Sequence, residues 1–263
     1  MMKRVLCSQL PQPGHSVLLS ETEATHLTRV LRLKEGDLVQ AMDGNGNTKV
    51  LSLKFKGGSP RLENDEKAQN ANQQSNLSLS PADPLPIILE MAILKGDAME
   101  WVIEKAVELG VSTLIPTLTA HTVVQIKNKG PESFQHRWQK IADQALKQCG
   151  RLKRMEVAFP ISLETLLQKT EGSPSTLRIW CDEGEKDSAP FLMDCIQSQN
   201  FGQLNPIRLL VGPEGGWSEI ERSLLDRNSA STIKVSLGPL ILRAETAALF
   251  GLSLVAGKLR SSK

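Results

Sequence analysis

The 263-residue chain predicts an α/β protein in two parts: a small β-rich N-terminal domain, then a larger domain on a mostly parallel sheet. Three observations lead there. Beyond residue 86, short apolar runs alternate with amphipathic stretches of helical period, the pattern of repeated β-α units whose helices cover both faces of a parallel sheet. Before residue 57, strand-like runs are bracketed by turn chemistry. Between them, residues 57–86 are rich in Asn, Gln, Ser and Pro and nearly free of large apolar side chains. Such a composition cannot build a core and reads as a linker or long loop, with a polar edge strand near Leu77–Leu79 as the alternative. The first domain therefore spans residues 1–75 and the second residues 86–263, with a soft boundary.

In chain order, Thr25 to Leu33 reads as a short helix that places Leu27, Val30 and Leu31 on one face. "LVQAM" is a strand between the turns "KEGD" and "DGNGN". "IILEMAIL" is a buried strand, and "DAMEWVIEKAVELG" a helix with Asp97 as N-cap, Glu100 at N3 and Gly110 at its stop. Strands follow at "VSTLIP", "MEVAFP", "LRIWCDE", "IRLLVG" and "TIKVSL". Helices alternate with them at Glu132–Gln148, "LETLLQK", "APFLMDCIQ" and "SEIERSLLD", and a last helix begins at Ala244. Trp101 and Trp138 are expected in the core.

Composition excludes several classes. Forty percent apolar and 23 percent charged residues are ordinary globular values. No run reaches the roughly 18 to 20 uncharged apolar residues of a membrane helix. The start "MMKRVLCSQLPQPGH" has no apolar signal region, and Cys7, Cys149, Cys181 and Cys195 form no C-x-x-C pair. Free thiols in a reducing cytoplasm are the expectation. The net charge of +2 is unevenly spread: residues 127–154 hold eight Lys and Arg against Glu132 and Asp143. A solvated helix face explains such a run, and so does a phosphate-rich partner.

Two stretches concentrate chemistry. In "LLVGPEGGWSEIE" a buried strand ends in Gly-Pro-Glu-Gly-Gly, and Ser218-x-x-Glu221 is a capping box. Glycines there let backbone amides approach a ligand at the carboxyl edge of the sheet, or serve only a tight turn. Neither a Walker loop nor a G-x-G-x-x-G fingerprint is present. In "VSLGPLILRAETAALFGL" a second Gly-Pro turn precedes Arg243 and Glu245, two charges at the junction of buried elements. They form either a structural ion pair or, with Glu214, the charged part of one pocket. The four scattered histidines offer no metal-ligand cluster.

These two stretches, with "HLTRVLRLKEGD", "KGDAMEWVIEKAVELGV" and "RWQKIADQALKQCGR", resemble in order the motifs of the RsmE family. That family comprises S-adenosylmethionine-dependent methyltransferases of the SPOUT superfamily, which methylate N3 of a uridine in 16S ribosomal RNA of the small subunit. The resemblance implies a PUA-like RNA-binding domain, then a SPOUT domain whose C-terminal segment threads a trefoil knot, in a homodimer. It implies a cofactor pocket from three loops: Cys181 on the first, Val211, Gly212, Pro213, Gly215 and Gly216 on the second, Leu237, Gly238, Leu240, Ile241 and Leu242 on the third, with Thr246 beyond. Arg243 is the implied stabiliser of the uracil anion, with Glu214 or Glu245 orienting it or accepting the proton. No metal is implied. Arg29, Arg32, Lys95, His121, Arg151 and Arg154 become RNA contacts.

The chain departs from the family pattern twice. "TAHTVV" stands where "SERSVV" is usual, so His121 replaces an arginine, and "LGPLILR" puts Leu240 in place of a basic residue. Both changes remove positive charge from loops expected to face RNA. Competing readings are a SPOUT enzyme acting on a ribose 2′-hydroxyl, separated by the atom methylated, and a non-enzymatic RNA-binding or ribosome-assembly protein, separated by cofactor binding.

Overall fold

A computed structural model describes residues 2–74, 84–126, 130–170, 177–185, 189–198, 206–228 and 232–261. The chain divides into two compact units, Met1–Ala82 with Leu146–Arg154, and Asp83–Ala145 with Met155–Lys263. Among the described residues no helix is long and apolar enough to cross a membrane.

The first unit is a five-stranded sheet of β1 (Lys3–Leu6), β2 (Ser16–Leu18), β3 (Leu38–Met42), β4 (Thr48–Lys56) and β5 (Ser59–Glu63), in the order β1-β3-β4-β5-β2. Among the described residues only β1 and β3 pair in parallel. Val5, Val39, Leu51, Leu53, Leu62 and Leu27 close its core. The helix expected over Thr25–Leu33 starts earlier, as α1 (Glu21–Thr25), and continues as a π-helical turn, His26–Val30. There Leu31 N–H bonds to His26 O at 2.9 Å, five residues back. The wider turn carries Val30 off the buried face, leaving it 64% exposed while Leu27 is fully buried. Arg32 ends the segment at φ 54°, a left-handed position that glycine usually fills.

Part of the segment read as linker is structured. β5 and α2 (Glu66–Gln74) lie inside it. β5 stops with Glu63 opposite Ser52, so the ladder ends before Val50. The amide of Asn72 continues it, accepting from Val50 N–H at 2.8 Å and donating to Val50 O at 2.9 Å. Polar composition misled here because these side chains bond backbone instead of filling a core. The edge strand considered near Leu77–Leu79 lies outside the described residues.

The second unit contains β6 (Ile87–Ala92), α3 (Asp97–Leu109), β7 (Thr113–Leu118), α4 (Pro131–Cys149, whose residues from Leu146 on count with the first unit), β8 (Glu156–Val157), β9 (Ile161–Ser162) and α5 (Leu163–Thr170). There follow β10 (Leu177–Cys181), α6 (Leu192–Ser198), β11 (Ile207–Val211), α7 (Glu219–Arg227), β12 (Thr232–Val235) and α8 (Ala244–Ser261). Among the described residues every strand pair here is parallel, in the order β12-β10-β11-β6-β7-β8, with β9 also beside β7. One face buries Trp180 and Leu210 against Leu163, Leu166 and Leu167 of α5 and Leu225 of α7. On the other, Leu209 meets Gly251 of α8, where a Cβ would approach it to 3.1 Å. That small residue lets α8 lie close to the sheet, beside α3 and α6.

Two local expectations change. Gly96, not Asp97, is the N-cap of α3, and it makes no side-chain bond. Trp101 is 38% exposed, because α3 turns Met99, Val102, Ile103 and Ala106 inward, whereas Trp138 is buried.

Beneath the sheet's surface lies a charge cluster that apolar runs concealed. Glu90 of β6 is fully buried and takes Arg178 Nε of β10 at 2.6 Å, Arg178 Nη2 at 3.1 Å and Arg208 Nη1 of β11 at 2.6 Å. One carboxylate thus ties three adjacent strands. Removing one partner of such a cluster strands the others without compensation. Glu90→Ala is expected to cost about 3 to 5 kcal/mol in urea unfolding; a loss under about 1 kcal/mol would mean that water reaches the two arginines.

Candidate active site

Seven parallel strands bring their carboxyl ends to one edge, and the loops leaving β10, β11 and β12 meet there. The β11 loop is shaped by close packing. A Cβ on Gly212 would lie 2.9 Å from the Trp217 ring, and one on Gly216 (φ +68°) would collide with Glu183 Oε1. Only glycine satisfies both the left-handed backbone and that contact. Trp217 is buried, stacks edge-on against Trp180 and donates from Nε1 to Cys181 O at 2.9 Å, fastening the β11 loop to the end of β10. Arg222 of α7 holds the β10 loop, bonding Asp182 at 3.1 Å and Glu183 at 3.0 Å.

The three loops enclose a cavity of about 480 Å³. Cys181, Val211, Gly212, Pro213 and Gly216 line it from the first two loops. Leu237, Gly238, Leu240, Ile241 and Leu242 line it from the third. Arg243, Glu214 and Glu245 join them. Among the described residues Arg243 forms no ion pair with Glu245 or Glu214, and Glu214 Oε1 accepts from Lys95 N–H at 3.1 Å. Two expected wall residues do not line this cavity. Thr246 is exposed, since the helical period turns Ala244, Glu245 and Ala247 inward. Gly215 faces the other way, where a Cβ would come 3.0 Å from His121 Cβ. Asp182, Glu183 and Ser236 also line the cavity, on loops expected there although not named individually, while sequence reasoning missed Ala98, Ala244 and Ala247. "DE" after a buried strand was the available signal for Asp182 and Glu183; Ala98 had none, because its position depends on where α3 packs.

On the far side of the β11 loop a second cavity is lined by Lys95, Ala120, His121, Thr122, Val123, Val124, Glu214 and Gly215. Its walls are tied together. Glu221 completes the expected capping box, its Oε2 taking Ser218 N–H at 2.9 Å, while its Oε1 takes Ala120 N–H at 2.8 Å. His121 Nδ1 lies 2.8 Å from Gly216 O. A carbonyl only accepts, so Nδ1 carries the proton.

The remaining predicted contacts lie in the first unit. Arg29 and Arg32 are exposed on and after the π-helical turn. Arg154 is exposed at a segment whose backbone bonds Gly44 of the β3–β4 turn. Arg151 is different, for burial lowers its pKa to about 10. The basic run is not one solvated face: Arg137 pairs with Glu100 and Lys147 with Glu23, while Lys127 and Lys129 lie outside the described residues.

Chemically, the first cavity offers an apolar wall, backbone groups from three loops, four carboxylates and one guanidinium. It suits a nucleoside-sized ligand bearing positive charge. Among the described residues no group of three or more His, Cys, Asp or Glu is placed to hold a metal ion.

The chain matches the RNA methyltransferase domain over residues 81–256 and the RNA methyltransferase PUA domain over residues 19–52. It is 32% identical to the ribosomal RNA small subunit methyltransferase E of Synechocystis sp., over 94% of this chain and 74% of that protein. With the protein of the same name from Bacillus subtilis it shares 27% identity, over 95% and 93% of the two chains. A Neisseria gonorrhoeae ribosomal RNA small subunit methyltransferase E, solved bound to S-adenosyl methionine, superposes with a TM-score of 0.79 at 26% identity, over 96% of each chain.

Burial pushes the thiols of Cys7 and Cys181 up to about 12, whereas Cys149 is exposed. At pH 8 only about one in ten thousand of the two buried groups is thiolate, the reactive form. Iodoacetamide is therefore expected to alkylate Cys149 in the native protein and to reach Cys7 and Cys181 only after unfolding. Peptide mass mapping checks this, and rapid native labelling of Cys181 would show that the β10 loop opens.

Proposed function

The chain belongs to the ribosomal RNA small subunit methyltransferase E family, and from that premise we propose that it transfers a methyl group from S-adenosylmethionine to N3 of a uridine in 16S ribosomal RNA. One observation carries the reading: Arg243, Glu214 and Glu245 line the cavity formed by the three loops at the sheet's carboxyl edge. That cavity also fits the cofactor. Its apolar wall offers surface for a nucleoside, and its carboxylates complement a cationic ligand.

When bound, S-adenosylmethionine supplies an electrophilic methyl group on a sulfonium. The protein's own part is position and field. Uridine N3 carries a proton and becomes nucleophilic as that proton leaves, with charge spreading onto the flanking carbonyl oxygens. Arg243 supplies preorganised donors where that charge develops. Glu214, held at Oε1 by Lys95 N–H, stands in the wall between both cavities and is placed to receive the N3 proton. Leu240 and Ile241, about three-quarters exposed at the mouth, are apolar surface that substrate covers, excluding water. Glu245 in the first turn of α8 also sits favourably in the helix field.

The same reading carries a cytoplasmic homodimer acting on the small ribosomal subunit, with the segment from Leu237 onward threaded as a trefoil knot. Arg29, Arg32 and Arg154 contact the RNA backbone, where each adds to a salt-dependent affinity.

Small subunits from a strain lacking this gene, incubated with the protein and labelled S-adenosylmethionine, are expected to yield label in 3-methyluridine. Arg243→Ala is expected to lower kcat by about 100- to 1,000-fold, with cofactor affinity from calorimetry changing less than about threefold. Label in a 2′-O-methyl nucleoside would overturn the acceptor atom.

A further inference from the structure

The sheet edge carries two cavities side by side, and the reaction read above needs two occupants. The loops of β10, β11 and β12 wall the first; the second lies over the neighbouring ends of β11, β6 and β7. The β11 loop separates them, and Glu214 lines both. We propose that the second cavity, walled by Lys95, His121, Val123, Val124 and Glu214, is the seat of the target uracil, swung out of the RNA. The proposal rests on the methyltransferase reading and goes beyond it by naming where the acceptor base lies.

Three arguments carry it. The first is continuity. Glu214 lines both cavities, so a base held in the second presents an edge to the residue that it shares with the first.

The second is chemistry. Val123 is 63% exposed although it lies in a cavity, and with Val124 it offers an apolar surface for the face of a flat ring. The exposed Lys95 brings an ammonium group, matched to a uracil carbonyl and to the charge that collects there when N3 loses its proton. An extruded base is read by stacking and by hydrogen bonds to its pairing edge, and this cavity holds both kinds of partner.

The third is preorganisation. Each wall is fastened to the next by a bond that spans loops: Lys95 N–H to Glu214 Oε1, Ala120 N–H to Glu221 Oε1, and His121 Nδ1–H to Gly216 O. The seat is therefore built before substrate arrives, and part of the ordering cost of binding is already met in the fold. His121, in place of the family's usual arginine, is one of these fasteners; its bond to Gly216 O couples the base cavity to the cofactor loop.

The four histidines (His15, His26, His121 and His136) provide a direct readout, since only His121 lines the cavity. With the full-length protein saturated in S-adenosylhomocysteine, uridine 5′-monophosphate is expected to shift the His121 ring resonances saturably and to leave the other three unmoved. Cytidine 5′-monophosphate serves as the comparison. In parallel, Val123→Trp fills the cavity from an exposed loop position. It is expected to lower kcat/KM on small subunits at least about 30-fold while changing S-adenosylmethionine affinity less than about threefold. An unmoved His121, or an unchanged kcat/KM in a Val123→Trp protein that binds cofactor, overturns the proposal. Should the wild-type protein methylate subunits at another atom, the function reading fails separately, and the His121 titration with the nucleotide alone still decides whether this cavity takes a pyrimidine.

Discussion

Seven parallel strands that finish on one edge leave a row of backbone donors and acceptors there, beyond the last rungs of the ladder. Buried or half-buried groups of that kind must find partners. Here the loop side chains supply them. Glu214 takes the N–H of Lys95 after β6, Glu221 takes that of Ala120 after β7, Thr122 takes that of Thr119, and Trp217 donates to the carbonyl of Cys181 at the end of β10. The bonds that satisfy the sheet edge are the bonds that fasten the loops to one another. Two cavities with fixed walls result from this requirement.

Within the same strands the problem is charge. Glu90, Arg178 and Arg208 lie on one face of β6, β10 and β11, almost out of reach of water. Such a cluster is weak evidence for stability, because desolvation offsets attraction. What it favours is neighbourhood: β6, β10 and β11 must lie close together, since separating any of them leaves an uncompensated ion. The order β10-β11-β6 places their loops in sequence across the edge, and so places the cofactor-type cavity beside the second one.

The first unit shows the same logic with polar side chains. Asn72 continues a ladder that β5 leaves unfinished, and Asp65 bonds both Ser52 and the first turn of α2. A composition poor in apolar residues still folds when its side chains complete backbone hydrogen bonding. The π-helical turn at His26–Val30 has the opposite lesson: one extra residue in a turn rotates Val30 into solvent and carries the chain to a left-handed Arg32. The strained Arg32 is itself exposed, as is Arg29 before it, and exposed arginines are of the kind that meet phosphates.

Local information was enough for much of this protein. The strand and helix order, the turn at "DGNGN", the Ser218–Glu221 capping box and the two Gly-Pro turns are each set within a few residues, by periodicity, side-chain capping and the φ range of glycine. The charges at the junction of "VSLGPLIL" and α8 were legible too, because a full charge between two apolar elements has few structural uses. Tertiary structure alone decided the rest. It set Ala98 into the cavity wall, turned Thr246 away, half-buried Arg151, exposed Trp101, paired Glu90 with two arginines and opened the second cavity beside the β11 loop. Each of these depends on which strand lies beside which and which helical face packs inward. Those are contacts between residues tens to a hundred positions apart, and no local propensity encodes them.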